Sequence, residues 1–145
     1  MFTFSTTAFQ RLVRASAIYD VLATALFATP WTFVLAHGHI SAVNGALGGQ
    51  ALPAFSPFHV LFACLLGSVV LVWSALRIRY PAVLFGRMDA IARVLFSTWM
   101  LWAYTQTGAA VLWLFIVPEI AWGIVQLLPV ARPVSEDRYA IRIYD

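Results

Sequence analysis

The sequence predicts an all-α integral membrane protein, an antiparallel four-helix bundle with both termini in the cytoplasm. Three observations predict this fold: a high apolar content, four apolar runs of membrane-spanning length, and arginines confined to one side of those runs. Hydrophobic residues make up 62% of the 145 residues and charged residues 10%, with a mean hydropathy of +0.85. Ordinary soluble domains are about 45–50% apolar and about 25% charged, so a soluble core of this size could not bury this chain.

Four apolar runs are each long enough to cross a bilayer, whose hydrocarbon core of about 30 Å needs about 20 helical residues. A segment in lipid must satisfy its own backbone hydrogen bonds, which favours helices, and no run shows the alternation of a barrel strand. We predict one transmembrane domain over residues 1–145. Its parts are helices at about 15–36, 57–78, 89–106 and 109–130, an outer loop at 37–56 and a cytoplasmic tail at 131–145.

All nine basic residues are arginine, and on this four-helix interpretation they fall on one side of the membrane. Short loops rich in Lys and Arg stay in the cytoplasm during insertion, so both termini are predicted to be cytoplasmic. The arginines are dispersed rather than gathered in a stripe, which favours membrane lipids with anionic headgroups as partners and argues against nucleic acid. They precede the first run (Arg11, Arg14), surround the link between the second and third (Arg77, Arg79, Arg87, Arg93) and follow the fourth (Arg132, Arg138, Arg142).

A secretory signal peptide is the alternative interpretation of the first run, because Arg11 and Arg14 precede it. Against this, the run is longer than the usual apolar region of a signal peptide and contains Asp20. It also lacks a clear cleavage site before Trp31. We therefore expect an uncleaved helix.

The two outer connections differ in length. The loop at 37–56 is long, is rich in Gly, Ala, Ser and Asn, and carries no Arg, Lys, Asp or Glu. Such a segment either lies on the outer surface as a short helix or dips between the helices, which makes it a candidate lid. The third and fourth helices are joined by little more than Thr107 and Gly108, so they are expected to be antiparallel neighbours.

Two charged residues inside the runs are predicted to form a structural ion pair. Asp20 and Arg93 each lie a few residues from the cytoplasmic start of their helix, so they reach similar depths at about 1.5 Å per residue. Asp89 competes for Arg93 from one turn away, and Gln126 arrives at the same level. Because paired charges within a membrane serve either packing or function, a direct proton or ligand role is the alternative.

Glu119 is the main functional candidate because it lies near the middle of its run, directly after Pro118. Proline removes a backbone donor, so a kink and a pocket are expected beside this carboxyl group. By residue count no basic residue reaches that depth, so a protonated Glu119 serves either as hydrogen-bonded glue or as a ligand or proton site. The predicted ligand-binding set is Glu119, Ser68, Ser97, Thr98, Gly123 and Gln126.

The three histidines, His37, His39 and His59, lie at the outer ends of the first and second runs. They are either a metal site or polar groups at the membrane interface. The absence of a fourth Cys, Asp or Glu ligand on that side favours the second interpretation. The single cysteine excludes an intrachain disulfide, and no Walker loop, dinucleotide fingerprint, nucleophile elbow or HExxH motif occurs. No catalytic residue and no cofactor are therefore predicted.

Several short stretches together resemble small four-helix bacterial inner-membrane proteins of the BphX-like or DoxX-like kind. The resemblance covers most of the chain and rests on general pattern and hydropathy. It implies a multi-pass protein of the bacterial inner membrane. The stretches are Tyr19-Asp20 with Pro30-Trp31, Pro57-Phe58-His59 through Gly67-Ser68 to Trp73-Ser74, Gly86-Arg87-Met88-Asp89 leading to Arg93, and Pro118-Glu119.

The leading functional hypothesis is binding or passage of a small apolar or amphiphilic molecule, proton-linked through Glu119, in a hydrophobic cavity. The competing hypothesis is a non-catalytic accessory or scaffolding subunit whose polar residues only fix helix pairing. Small residues such as Ala63 and Gly67 share one side of the second run, which lets another helix approach closely. A homo-oligomer is expected.

Overall fold

The computed structural model describes residues 3–131, and every regular element in that range is a helix, which confirms the all-α prediction. Two 3₁₀ turns, Ala25–Phe27 and Ala110–Leu112, interrupt the sequence of helices. The predicted tail beyond residue 131, with its three arginines, lies outside the described residues. The helices are α1 (Thr6–Thr24), α2 (Pro30–Ala46), α3 (Pro57–Arg79), α4 (Val83–Thr107) and α5 (Trp113–Leu127).

Two stretches of helix are long and apolar enough to cross a membrane: α3, and α5 with the turn before it, Ala110–Leu127. A third candidate is the pair formed by α1 and α2, if the two are one broken span. The described part of the chain therefore has the helices of a membrane protein. α4 does not meet the same criterion, because it combines the charges of Arg87, Asp89 and Arg93 in its first half with polar residues such as Gln106 near its end.

The predicted helix at 15–36 is wrong, because this run folds as two helices whose axes are bent by 101°. α1 begins earlier, after Ser5, whose side chain accepts a hydrogen bond from the Ala8 amide. α2 begins at Pro30, after Thr29 caps it by accepting from the Thr32 amide. A capping threonine followed by proline is a strong start signal for a new helix, and the apolar composition continues through the break and conceals it.

The predicted outer loop at 37–56 is also too long, since α2 continues to Ala46 and only residues 47–56 connect it to α3. α2 is fastened at its end by Asn44, which is buried. The Asn44 side-chain oxygen accepts from the Val111 amide at 3.1 Å, and its nitrogen donates to the Gln50 carbonyl at 2.8 Å. These bonds hold α2 against the turn that precedes α5.

The remaining helices follow the predicted runs with shifted ends. α3 ends one residue later than expected, α4 begins at Val83 rather than 89, and α5 covers a shorter range than 109–130. Gly108 adopts a left-handed conformation with φ of 65°, which ends α4 and lets the chain turn back. α4 and α5 then pack along each other.

The chain enters α1 and leaves α5 at the same end of the molecule, which we call the arginine end. The Phe4 amide donates to the Pro129 carbonyl at 2.9 Å, and the Ala131 amide donates to the Phe4 carbonyl at 2.8 Å. Arg14 Nε donates to the Ile78 carbonyl, so α3 ends there too. Since α3 and α5 both finish at the arginine end, α4 runs back along the length of the molecule between them.

The packing is inverted relative to a soluble protein. Among residues 3–131, large apolar side chains are exposed on every helix, and eight of the buried residues are polar or charged beside nine that are hydrophobic. α3 packs closely against the bend after α1 at Gly67. A Cβ atom at this position would lie 2.8 Å from the Phe27 carbonyl carbon, so only glycine leaves enough room. The interior that this packing creates holds the candidate functional site.

Candidate functional site

Five charged side chains from four helices meet inside the molecule, and we call them the ionic cluster. Asp20 comes from α1, Arg77 from α3, Asp89 and Arg93 from α4, and Glu119 from α5. Both arginines are almost completely buried, at 0% and 2% exposure. Charges away from water are tolerated when they are paired and hydrogen-bonded, and here the pairing also joins the four helices.

Arg93 is the centre of the cluster because its guanidinium group contacts three carboxylates. Its Nη2 lies 2.8 Å from Asp20 Oδ1, and its Nη1 lies 2.8 Å from Glu119 Oε2. Its Nε lies 3.1 Å from Asp89 Oδ2, one turn back on the same helix. The planar fork of arginine suits several oxygen acceptors at once, which a lysine ammonium could not match. The structure thus brings together Asp20 and Arg93, as the depth argument predicts.

Arg77 is a member of the cluster that the sequence does not predict, because its charge and position place it in the cytoplasmic link between the second and third runs. Its guanidinium group contacts both Asp20 and Asp89, and its Nη2 donates to Ser74 Oγ at 3.2 Å. The available signal was helical spacing. Gly67, Ser74 and Arg77 share one side of α3, and these three are its buried residues.

Neutral polar side chains complete the cluster on the side of the arginine end. Gln126 Nε2 donates to Ser16 Oγ at 2.9 Å and to Asp89 Oδ2 at 2.8 Å. Trp73 Nε1 donates to Asp89 Oδ1 at 3.1 Å. Gln126 therefore lies against Asp89 at the level of Asp20 and Arg93, as its position along the last run predicts, and it completes the cluster. The cavities of residues 3–131 that Glu119 lines do not include it.

The expectation that no basic residue reaches Glu119 is wrong. Arg93 lies on the neighbouring helix, and its long side chain crosses from α4 to α5. Counting residues along each helix gives the depth of the Cα atom and leaves out the length of the side chain. Glu119 is nevertheless the most accessible member of the cluster, with 14% of its side chain exposed against 11% for Asp20 and 5% for Asp89.

Glu119 lines three cavities. The largest of the three, about 400 Å³, lies between α1, α2, α4 and α5, and we call it the aromatic cavity. A second of about 290 Å³ lies in the groove between α4 and α5, and a third of about 290 Å³ lies between α1, α3 and α4. The aromatic cavity is lined by Tyr19, Ala23, Thr24, Phe27, Ile40, Phe96, Met100, Leu112, Phe115 and Glu119.

The predicted neighbours of Glu119 divide between two places. Ser97, Thr98 and Gly123 line the groove between α4 and α5 together with Glu119. Ser97 Oγ is buried there without a hydrogen-bond partner among the described residues, whereas Thr98 Oγ1 donates to the Val94 carbonyl. Ser68 is exposed on α3, because it follows the buried Gly67 by one residue and so points about 100° away around the helix.

The three histidines are not brought together. His37 Nε2 lies 3.1 Å from the Pro53 carbonyl oxygen, and His39 Nδ1 lies 2.7 Å from the Leu35 carbonyl oxygen of its own helix. His59 Nδ1 lies 2.9 Å from Ser56 Oγ. Within residues 3–131, no group of three or more His, Cys, Asp or Glu side chains is placed to hold a metal ion. The described residues therefore do not form the metal site that was one of the two interpretations of His37, His39 and His59.

No family model, curated protein or solved structure matches this chain. The resemblance to BphX-like and DoxX-like proteins therefore stays a prediction that rests on the sequence stretches quoted above. The functional argument depends instead on the geometry of the site, which combines a buried ionic cluster with apolar cavities that meet at one carboxylate.

Proposed function

We propose that this chain is a multi-pass protein of a bacterial inner membrane that binds or passes a small apolar or amphiphilic molecule beside Glu119. The observation that carries the proposal is the aromatic cavity, whose walls are almost entirely apolar and in which, among residues 3–131, Glu119 supplies the one charged group. Small-molecule sites usually measure about 300–1,000 Å³ and combine apolar walls with a few polar groups, so a cavity of about 400 Å³ fits this class.

The same proposal includes an antiparallel four-helix bundle with both termini in the cytoplasm. In it, α1 and α2 together make the first crossing, and α3, α4 and α5 make the other three. Four crossings return the chain to its starting side, which agrees with the pairing of Phe4 with residues 129–131. The arginines near that end, such as Arg11 and Arg14, favour the cytoplasmic side.

A proton link at Glu119 follows from the charge of the ionic cluster. With all groups ionised, three carboxylates and two guanidinium groups give a net charge of −1. A net charge is costly away from water, and a proton on the accessible Glu119 removes it. Asp20 and Tyr19 on α1, Asp89 and Arg93 on α4, and Arg77 on α3 are the titratable or charged groups near it. Ligand occupancy and the proton on Glu119 would then depend on each other.

An accessory or scaffolding subunit is the second candidate function, and one observation favours it. The ionic cluster ties α1, α3, α4 and α5 together, so its charges already have a structural purpose. On this hypothesis the cavities are packing defects that hold lipid chains, and membrane lipids or a second copy of the chain are its partners.

Filling the aromatic cavity tests the first function against the second. Ala23 lines this cavity, so Ala23→Leu inserts three carbon atoms into it. The purified protein in detergent would be dialysed to equilibrium with 2-naphthol against empty micelles. We expect the natural sequence to retain 2-naphthol above the micelle background and Ala23→Leu to weaken retention by about tenfold, a typical effect of misfit in an apolar pocket.

The matched control is Ala75→Leu, the same change at an exposed position of α3. It should leave 2-naphthol retention unchanged. Retention no higher than that of empty micelles, or equal loss in both variants, would reject a binding cavity and favour the accessory subunit.

A further inference from the structure

The three carboxylates of the ionic cluster are not compensated equally. Asp20 and Asp89 each contact both arginines, and Asp89 also accepts from Trp73 and Gln126. Within residues 3–131, Glu119 contacts only Arg93, through one of its two carboxylate oxygens. The uncompensated negative charge of the cluster is therefore concentrated at Glu119, which is the cluster carboxylate that lines the aromatic cavity; of the three cavities, Asp20 and Asp89 line only the one between α1, α3 and α4.

The other walls of the aromatic cavity have a second property that bears on the ligand. Tyr19, Phe27, Phe96 and Phe115 all line the aromatic cavity together with Glu119. The face of an aromatic ring is the negative part of its quadrupole, and it attracts organic cations such as quaternary ammonium groups. A carboxylate attracts a positive ligand and repels a negative one, and each aromatic ring that turns its face to the same space adds to that attraction.

We infer that the ligand of the aromatic cavity is an organic cation with apolar substituents, whose positive charge takes the place of the proton on Glu119. This inference rests on the proposed function, because it names the chemical class of the molecule that the cavity binds. The ligand brings the net charge of the cluster from −1 to zero, as the proton does, and its substituents contact the apolar walls. Cation and proton therefore compete for the same carboxylate.

Two probes of equal shape, one charged and one neutral, separate the contribution of charge to binding from that of apolar contact. Phenyltrimethylammonium and tert-butylbenzene differ only in the central atom of the substituent, which is a nitrogen cation in the first and neutral carbon in the second. Each would be titrated against bound 2-naphthol in detergent, on the natural sequence and on Glu119→Gln. Gln keeps an oxygen acceptor for Arg93 and leaves the cluster at zero net charge, so this variant is expected to fold.

We expect Glu119→Gln to weaken displacement by phenyltrimethylammonium by at least about tenfold, while displacement by tert-butylbenzene changes less than about twofold. Glu119→Asp retains the charge and should keep most of the response to the cation. Equal effects of Glu119→Gln on both probes, or no effect on either, would overturn the inference and leave a cavity that selects only for apolar shape.

A measurement on the natural sequence keeps the inference testable even if Glu119→Gln fails to fold. Lowering the pH protonates Glu119, so it should weaken binding of phenyltrimethylammonium and leave that of tert-butylbenzene unchanged. Cation binding that does not weaken as the pH falls would overturn the inference. If the natural sequence does not retain 2-naphthol at all, the proposed function fails first, and the two failures are thereby distinguished.

Discussion

At the scale of single residues, Arg93 determines how the interior of this protein is organised. It is 2% exposed and contacts a carboxylate from each of three helices, α1, α4 and α5. Removing it would leave Asp20 and Asp89 to Arg77, leave Glu119 without an ion-pair partner among residues 3–131, and change the net charge of the cluster from −1 to −2. Buried charges that lose their partner are among the most costly defects known in proteins.

We predict strong coupling between Arg93 and Asp20. Arg93→Leu should lower the free energy of unfolding by about 3–5 kcal/mol, and Asp20→Ala by about 3 kcal/mol. The double variant restores the net charge of −1, so its loss should be smaller than the sum of the single losses by about 1–3 kcal/mol. Unfolding in mixed micelles by added denaturing detergent measures all three.

Arg11→Leu is the control for this cycle, because Arg11 is exposed on α1 and its removal should change stability by less than about 0.5 kcal/mol. Additive losses in the Arg93 and Asp20 double variant would show that the two side chains do not act as a pair.

The residues of the cluster were only partly predictable from the sequence. The contact of Asp20 with Arg93 follows from equal depth along two helices, which residue counting captures. The contact of Arg93 with Glu119 depends on a long side chain that crosses between helices, and the burial of Arg77 depends on which side of α3 faces inward. Mean hydropathy predicts neither the reach of a side chain nor the side of a helix that is buried, because it averages over all sides of the helix.

At the scale of helices, the break between α1 and α2 shapes the site. The bend after α1 lies against α3 at Gly67, and α2 then runs toward the turn before α5, where Asn44 fastens it. This path leaves the aromatic cavity between α1, α2, α4 and α5. A straight helix over 15–36, as hydropathy predicts, would remove the bend whose Phe27 lines that cavity.

The close approach at Gly67 yields a prediction about helix packing. Gly67→Ala places a Cβ atom 2.8 Å from a backbone carbon of Phe27, and the backbone has little freedom to move away. We expect a loss of about 1–3 kcal/mol in the free energy of unfolding, measured in detergent as above.

Gly123→Ala is the matched control, since its new Cβ atom would meet Arg93 Cβ at an ordinary 3.6 Å. This variant should be as stable as the natural sequence or slightly more so, because alanine favours the helix. If Gly67→Ala lowered the free energy of unfolding no more than Gly123→Ala does, α3 would not pack against the bend as described.

Helix ends were the least predictable feature of the elements. Apolar runs give the approximate length of a membrane-spanning stretch, because the thickness of a bilayer sets it. They do not reveal a break such as Thr29-Pro30, where the apolar composition continues on both sides. The start signal of α2 was present in the sequence, but it was outweighed by the length of the run.

At the scale of the whole molecule, the distribution of polarity is that of a protein dissolved in lipid. The exposed surface is rich in large apolar side chains, and the buried interior holds two arginines and two aspartates. Helices α3 and Ala110–Leu127 are long and apolar enough to span a membrane. A paired interior and an apolar exterior are the arrangement on which the proposed binding of an apolar or amphiphilic molecule depends.

The most direct test is the membrane topology, because the cluster and cavities lie within lipid only if the helices cross as proposed. Reporter domains would be fused before Phe2, after Asp145 and near Gly48 in the loop between α2 and α3. Four crossings with arginines in the cytoplasm predict cytoplasmic signals from both ends and an external signal near Gly48. A cytoplasmic signal near Gly48, or an external signal after Asp145, would contradict the four-crossing account.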